Sequence, residues 1–124
     1  MQQQIGFCTT TDGVRIAYST IGAGPALMVA PWAPSHLGLD WEESRVRDFW
    51  EAIGQHHMVV RFDKHGCGLS DRNRTDFSLD PDVRTIEAIV KELEPKSFVL
   101  WGQGAGRGVT ASAKPHSGAT GPLQ

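Results

Sequence analysis

Ser97-Phe98-Val99-Leu100-Trp101-Gly102-Gln103-Gly104-Ala105-Gly106 is the stretch whose reading decides the fold. An apolar run of strand length stops at glycines on alternate positions. The run reads as a buried strand, and the glycines as a tight turn placed to open a helix. Nucleotide-binding glycine loops do not fit. The pattern Gly-x-Gly-x-x-Gly fails because Arg107 stands where the third glycine belongs, and no Gly-Lys-Ser/Thr follows for a phosphate loop. A plain strand and turn with flexible glycines stays open as a reading of these residues alone.

The chain before this stretch alternates strands with helices. Ile5 to Thr10 and Val14 to Ile21 flank Thr11-Asp12-Gly13. Asp-Gly between two apolar runs predicts a hairpin. Ala26-Leu27-Met28-Val29-Ala30 is continuously apolar, as in a strand covered on both faces, and Pro31-Trp32-Ala33-Pro34 ends it. Ser35 to Glu43 is read as a loop with Trp41 as a buried anchor. Val46, Phe49, Trp50 and Ile53 share one face of a helix that Ser44 is expected to cap and Gly54 to end.

Met58 to Asp63 is the next strand. It leads into the loop Lys64-His65-Gly66-Cys67-Gly68-Leu69-Ser70-Asp71. Asp71 to Ser78 is polar and expected to be exposed. Asp80 is read as the N-cap of the following helix, Pro81 as its first residue and Asp82 as favouring its positive end. Val83, Ile86, Ile89, Val90 and Leu93 form its apolar stripe, and Pro95 stops it. This order predicts an α/β protein in which a hairpin adjoins parallel strands with helices on both faces.

The 124 residues suffice for one domain with a modest core. Twelve basic against 14 acidic residues give a net charge of −2, which offers no electrostatic ground for nucleic acid or a membrane surface as partner. Cys8 and Cys67 make neither a disulfide framework nor a metal-ligand cluster. No basic and apolar leader is visible at Met1-Gln2-Gln3-Gln4, and no apolar run reaches membrane-spanning length, so a cytoplasmic location is expected. Of the 18 residues from Arg107 to Gln124, 12 are Gly, Ala, Ser, Thr or Pro. Residues 1–106 are therefore expected to be the domain and 107–124 a disordered or weakly ordered tail.

Four blocks together resemble the α/β-hydrolase superfamily. They are the Asp12-Gly13 hairpin, the strand Ala26–Ala30 running into its Pro/Trp loop, the segment Arg61-Phe62-Asp63-Lys64-His65-Gly66-Cys67-Gly68-Leu69-Ser70-Asp71, and the turn Gly102-Gln103-Gly104-Ala105-Gly106. The third resembles the Asp-x-x-Gly-x-Gly-x-Ser segment that family members carry after their fourth strand. The segment His36 to Glu42 resembles bacterial members found alongside cyclase or transcription-regulator domains. The resemblance covers about residues 5 to 106.

It implies a partial α/β-hydrolase fold with no cofactor and no metal. The family turn is Gly-x-Ser-x-Gly, the nucleophile elbow. Here Gly104 occupies the nucleophile position, and a residue without a side chain forms no acyl intermediate. Gly102, Gln103 and Gly106 complete the elbow. The resemblance assigns the oxyanion donors to the Ala105 N–H and the backbone near Trp32. The family's acid and histidine lie on later segments, which this chain does not supply.

Other chemistry-bearing residues have bland readings. His116 and Ser112 lie in the tail, where nothing rigid holds a base or nucleophile. His56-His57 lack a third metal ligand. His36 and His65 lie in loops at the top of the sheet and are expected to pack there. Cys67, near Lys64 and His65, suits a tight loop between two glycines. Asp63 is expected to hydrogen-bond its own loop.

Three functional expectations stand side by side. One is ester or acyl hydrolase ancestry without turnover, with a small carbonyl compound as substrate only if activity exists. Another is a binding or assembly module that uses the edge of the last strand, including self-association. The third is a translated fragment whose residues after about Ala105 have left the original frame. Whether the chain is an enzyme stays open on sequence alone.

Overall fold

The computed structural model describes residues 1–31 and 35–102. The expected tail, 107–124, lies outside them. Eight elements follow in order: β1 (Gln4–Thr9), β2 (Arg15–Ile21), β3 (Ala26–Ala30), α1 (Leu37–Glu42), α2 (Ser44–Gly54), β4 (Met58–Phe62), α3 (Asp80–Leu93) and β5 (Phe98–Gly102). They build one mixed sheet in the order β1-β2-β4-β3-β5. β1 and β2 form the expected hairpin, with Cys8 opposite Ile16. β2 runs antiparallel to β4, whereas β3 is parallel to both β4 and β5.

Strand alternation gives the sheet two different faces. Cys8, Ile16, Met28, Val60, Phe62 and Leu100 join Ile86, Ile89 and Val90 of α3 in one buried cluster. The other face carries Ala17, Ile21 and Val59, also fully buried, beside Leu37 of α1. There the Arg61 guanidinium lies 5.2 Å from the Trp50 ring of α2, and Trp50 meets Trp101 of β5 edge-on at 6.0 Å. Covering both faces explains why Ala26–Ala30 is apolar without interruption. Gly22, after β2, and Gly54, at the end of α2, pass in backbone contact. A Cβ on Gly22 would overlap the Gly54 carbonyl.

Several boundaries differ from the sequence reading. The expected loop at Ser35–Glu43 contains the short helix α1, whose N-cap is His36. Trp41 is half-buried there rather than a core anchor. Glu43, not Ser44, caps α2, accepting from the Arg45 N–H at 3.2 Å. Phe49 is 50% exposed although it shares the apolar face of α2, and its ring meets Trp50 edge-on at 4.9 Å. Leu79 holds the N-cap position of α3, and Asp80 is its first residue. Glu94 ends α3 in the left-handed region at φ 47°, donating its N–H to the Val90 carbonyl before Pro95 is reached.

Candidate functional site

The C-terminal ends of β3, β4 and β5 lie side by side, with Ala30 opposite Gly102 and Met28 opposite both Val60 and Leu100. The loops leaving them define the candidate site. In an open α/β sheet this is where ligands bind.

Asp63, immediately after β4, is fully buried at this edge. Both of its carboxylate oxygens lie 3.1 Å from the Leu37 nitrogen. Oδ1 also accepts from the Ser35 hydroxyl at 2.8 Å, and Oδ2 from the Leu69 N–H at 2.9 Å. One carboxylate thus fastens the loop after β3 to the loop after β4. The sequence reading anticipated the bond within its own loop. The bridge to Ser35 and Leu37 was not legible, because those residues lie 28 and 26 positions away.

The rest of the β4 loop is tied down just as closely. Ser70 Oγ donates to the Asp63 carbonyl at 2.6 Å and accepts from the Ala17 N–H at 2.9 Å. Asp71 accepts from the Arg15 N–H and donates its own N–H to the Arg15 carbonyl, both at 2.9 Å. Gly68 has φ 52°, and a Cβ there would overlap the Asp63 carboxylate. The Gly-x-Gly-x-Ser pattern therefore has a mechanical basis. Its second glycine admits the carboxylate and its serine pins the loop to β2.

A second buried carboxylate supports the site from below. Asp82, in the first turn of α3, is buried and takes a forked contact from Arg74, Nη1 to Oδ1 at 3.2 Å and Nη2 to Oδ2 at 3.3 Å. Lys64 Nζ stands 3.7 Å from Asp82 Oδ2. Arg74 also donates to the carbonyls of His65, Asp76 and Ser78. The Asp71–Ser78 segment is therefore exposed as expected except at Arg74, whose side chain is 7% exposed. One sequence signal pointed to this. Asp82 shares the inward face of α3 with Ile86 and Ile89, and a carboxylate there needs a cation.

His36, His65 and Cys67 have structural duties. His36 Nδ1 accepts from the Leu39 N–H at 3.0 Å. The His65 carbonyl receives Arg74. Cys67 donates its N–H to the Lys64 carbonyl at 2.8 Å inside the tight turn. Among the described residues, no three His, Cys, Asp or Glu side chains are grouped to hold a metal ion.

Gly102 is the buried last residue of β5, at the start of the expected elbow. The other members of the sequence-derived site, Trp32, Gln103, Gly104, Ala105 and Gly106, lie outside the described residues.

No protein-family model matches the chain, and no curated protein matches it by sequence. Solved structures do match it. An epoxide hydrolase superposes with a TM-score of 0.71 at 21% identity, over 87% of this chain and 36% of its own. A hydrolase from Pseudomonas aeruginosa gives 0.71 at 24%, over 86% and 39%. An alpha/beta hydrolase fold protein from Burkholderia ambifaria gives 0.66 at 24%, over 82% and 36%. The chain thus spans little more than a third of the length of the structures it resembles. The hairpin, the strand order and the two helical crossovers are a partial α/β-hydrolase fold.

Proposed function

We propose that the chain is a hydrolase-fold protein of ester- or acyl-hydrolase ancestry that does not turn over substrate in this form. Gly104 carries the reading. It follows β5 by two residues, at the centre of Gly102-Gln103-Gly104-Ala105-Gly106, where the fold's chemistry requires a nucleophilic side chain. An oxyanion hole formed by the Ala105 N–H and the backbone near Trp32 would still polarise a small carbonyl substrate. With no nucleophile to attack it, that polarisation alone forms no acyl intermediate. The hydrolase names of the structural neighbours support the ancestry. A cytoplasmic pseudoenzyme is the corresponding cellular role.

The test is hydrolysis of p-nitrophenyl acetate by the purified chain and by Gly104→Ser. Both are expected to match buffer. Turnover by the unmodified chain that survives purification and disappears on a single substitution would overturn the reading.

A second reading, a binding or assembly module, is favoured by β5. Among the described residues it pairs only with β3, and its Val99 and Trp101 are partly exposed. An unpaired apolar edge invites another strand. Sedimentation to a monodisperse monomer, with cooperative unfolding, would count against it.

A further inference from the structure

At the opposite edge of the sheet, β1 pairs only with β2 among the described residues. The Thr10 N–H donates to the Val14 carbonyl at 2.8 Å. Antiparallel alternation from that bond turns the backbone groups of Cys8 and Gly6 toward β2 and those of Ile5, Phe7 and Thr9 outward. The free edge lacks two of the usual protections. It is six residues long, with no charge and no proline.

A groove runs along this edge between β1 and α3. Two adjoining hollows, about 260 Å³ and about 440 Å³, share Thr9, Ala88 and Lys91 as walls. The first reaches Arg84 and Glu87 beside the hairpin turn, and the second reaches Glu92 and Glu94 at the end of α3. A strand edge facing a helix across a groove is a geometry that accepts an extended peptide as one more strand.

Charge and side-chain alternation say what kind of peptide fits. Arg84 Nε lies 3.3 Å from Asp12 Oδ2, near enough for an ion pair although not aligned for a hydrogen bond. With Arg84 so engaged, Glu87 balances Lys91 in the first hollow, and Glu92 and Glu94 make the second, at the end of α3, the acidic one. Cys8 of β1 faces this wall, and burial first, then the charge of Glu92, raise its thiol to about 11. On the other face of β1, Ile5 and Phe7 are 42% and 39% exposed, and the Arg15 guanidinium of β2 lies over the Phe7 ring at 4.0 Å. A strand laid on β1 would set alternate side chains against the acidic end of α3 and against this apolar pair.

We infer that the groove between β1 and α3 binds an extended peptide in which basic residues alternate with apolar ones, added to the sheet edge at Ile5–Thr9. This site is independent of the elbow and of any hydrolytic reading.

The probe is a fluorescein-labelled seven-residue peptide alternating lysine and valine, titrated by anisotropy into the full chain at 0.15 M salt. Saturable binding is expected with a Kd of about 10⁻⁴ M or tighter. The double variant Glu87→Lys with Glu92→Lys changes exposed helix positions and should weaken binding roughly tenfold or more. Thr9→Pro deletes an outward N–H without touching the ladder to β2, and should weaken it comparably while circular dichroism is unchanged. Equal binding of the glutamate–valine peptide would overturn the inference, as would no binding at about 1 mM. So would indifference to both variants. A concentration-dependent dimer of the free chain that Thr9→Pro disperses would overturn it in favour of a second copy as occupant.

Discussion

The Asp63 carboxylate stands 3.1 Å from the Leu37 nitrogen with both oxygens, joining the loop after β4 to the first turn of α1 across the top of the sheet. Because Asp63 and Leu37 are fully buried, the Leu37 N–H has no water to turn to. Asp63→Ala should destabilise the chain by about 2–4 kcal/mol, the sum of a stranded buried donor at Leu37, a part-buried one at Leu69 and a lost hydroxyl partner at Ser35. Asp63→Asn should be milder, since one acceptor remains while its amide group faces donors. Urea unfolding followed by tryptophan fluorescence measures both. A loss under about 0.5 kcal/mol for the alanine variant would show that the bridge is incidental.

Gly68 lies against the same carboxylate. At φ 52° a side chain is strained, and its Cβ would collide with Asp63. Gly68→Ala should therefore cost well over the about 1 kcal/mol that the left-handed conformation alone imposes. In an Asp63→Ala background the collision is relieved, so the double variant should be less destabilised than the sum of the singles. Simple additivity in the double-mutant cycle would refute the contact.

The Arg74–Asp82 fork predicts an asymmetric response. Arg74→Met leaves Asp82 buried with only Lys64 nearby at 3.7 Å, and should cost about 3 kcal/mol. Arg74→Lys should not restore the loss, because an ammonium cannot reproduce the fork or reach the three carbonyls as well. The same variants should expose the 72–79 segment to limited proteolysis. Full stability in the lysine variant would show that charge alone suffices there.

Cys8 makes a prediction about pH. Its thiol is raised from 9.0 to about 11, chiefly by burial and then by Glu92. The folded chain therefore holds this proton more tightly than the unfolded chain does. That stabilisation is complete below about pH 9 and is lost as pH rises through about 11. Tyr18, raised by burial and then by Glu92 and Cys8, acts in the same direction. The unfolding midpoint should fall from pH 8.5 to 11, and less steeply in Cys8→Ala. Iodoacetamide at pH 8 should label the half-buried Cys67 and spare Cys8 until the chain unfolds. Equal labelling rates in the folded chain would contradict this.

The local pattern carried much of the fold. Apolar runs, Asp12-Gly13 and the stripe of α3 located every strand and the two longer helices, because period and turn chemistry are short-range properties. α1 escaped because a helix of six residues has too few turns to show a period. The caps at Glu43 and Leu79 shifted by one residue from the expected Ser44 and Asp80, because tertiary contacts decide where a helix begins.

The candidate site divides along the same line. Sequence alone determined that glycine occupies position 104 and that Asp63 heads a glycine-punctuated loop ending at Ser70. It also determined that strands alternate with helices after a hairpin. Only the tertiary structure decided that β3 inserts between β4 and β5, bringing Ser35 and Leu37 onto Asp63. It likewise decided that Arg74, in a segment read as polar and exposed, folds inward onto Asp82. The physical reason is desolvation. A carboxylate's need for partners becomes acute once it is buried, and burial is a property of the whole sheet and its covering helices rather than of any stretch of chain.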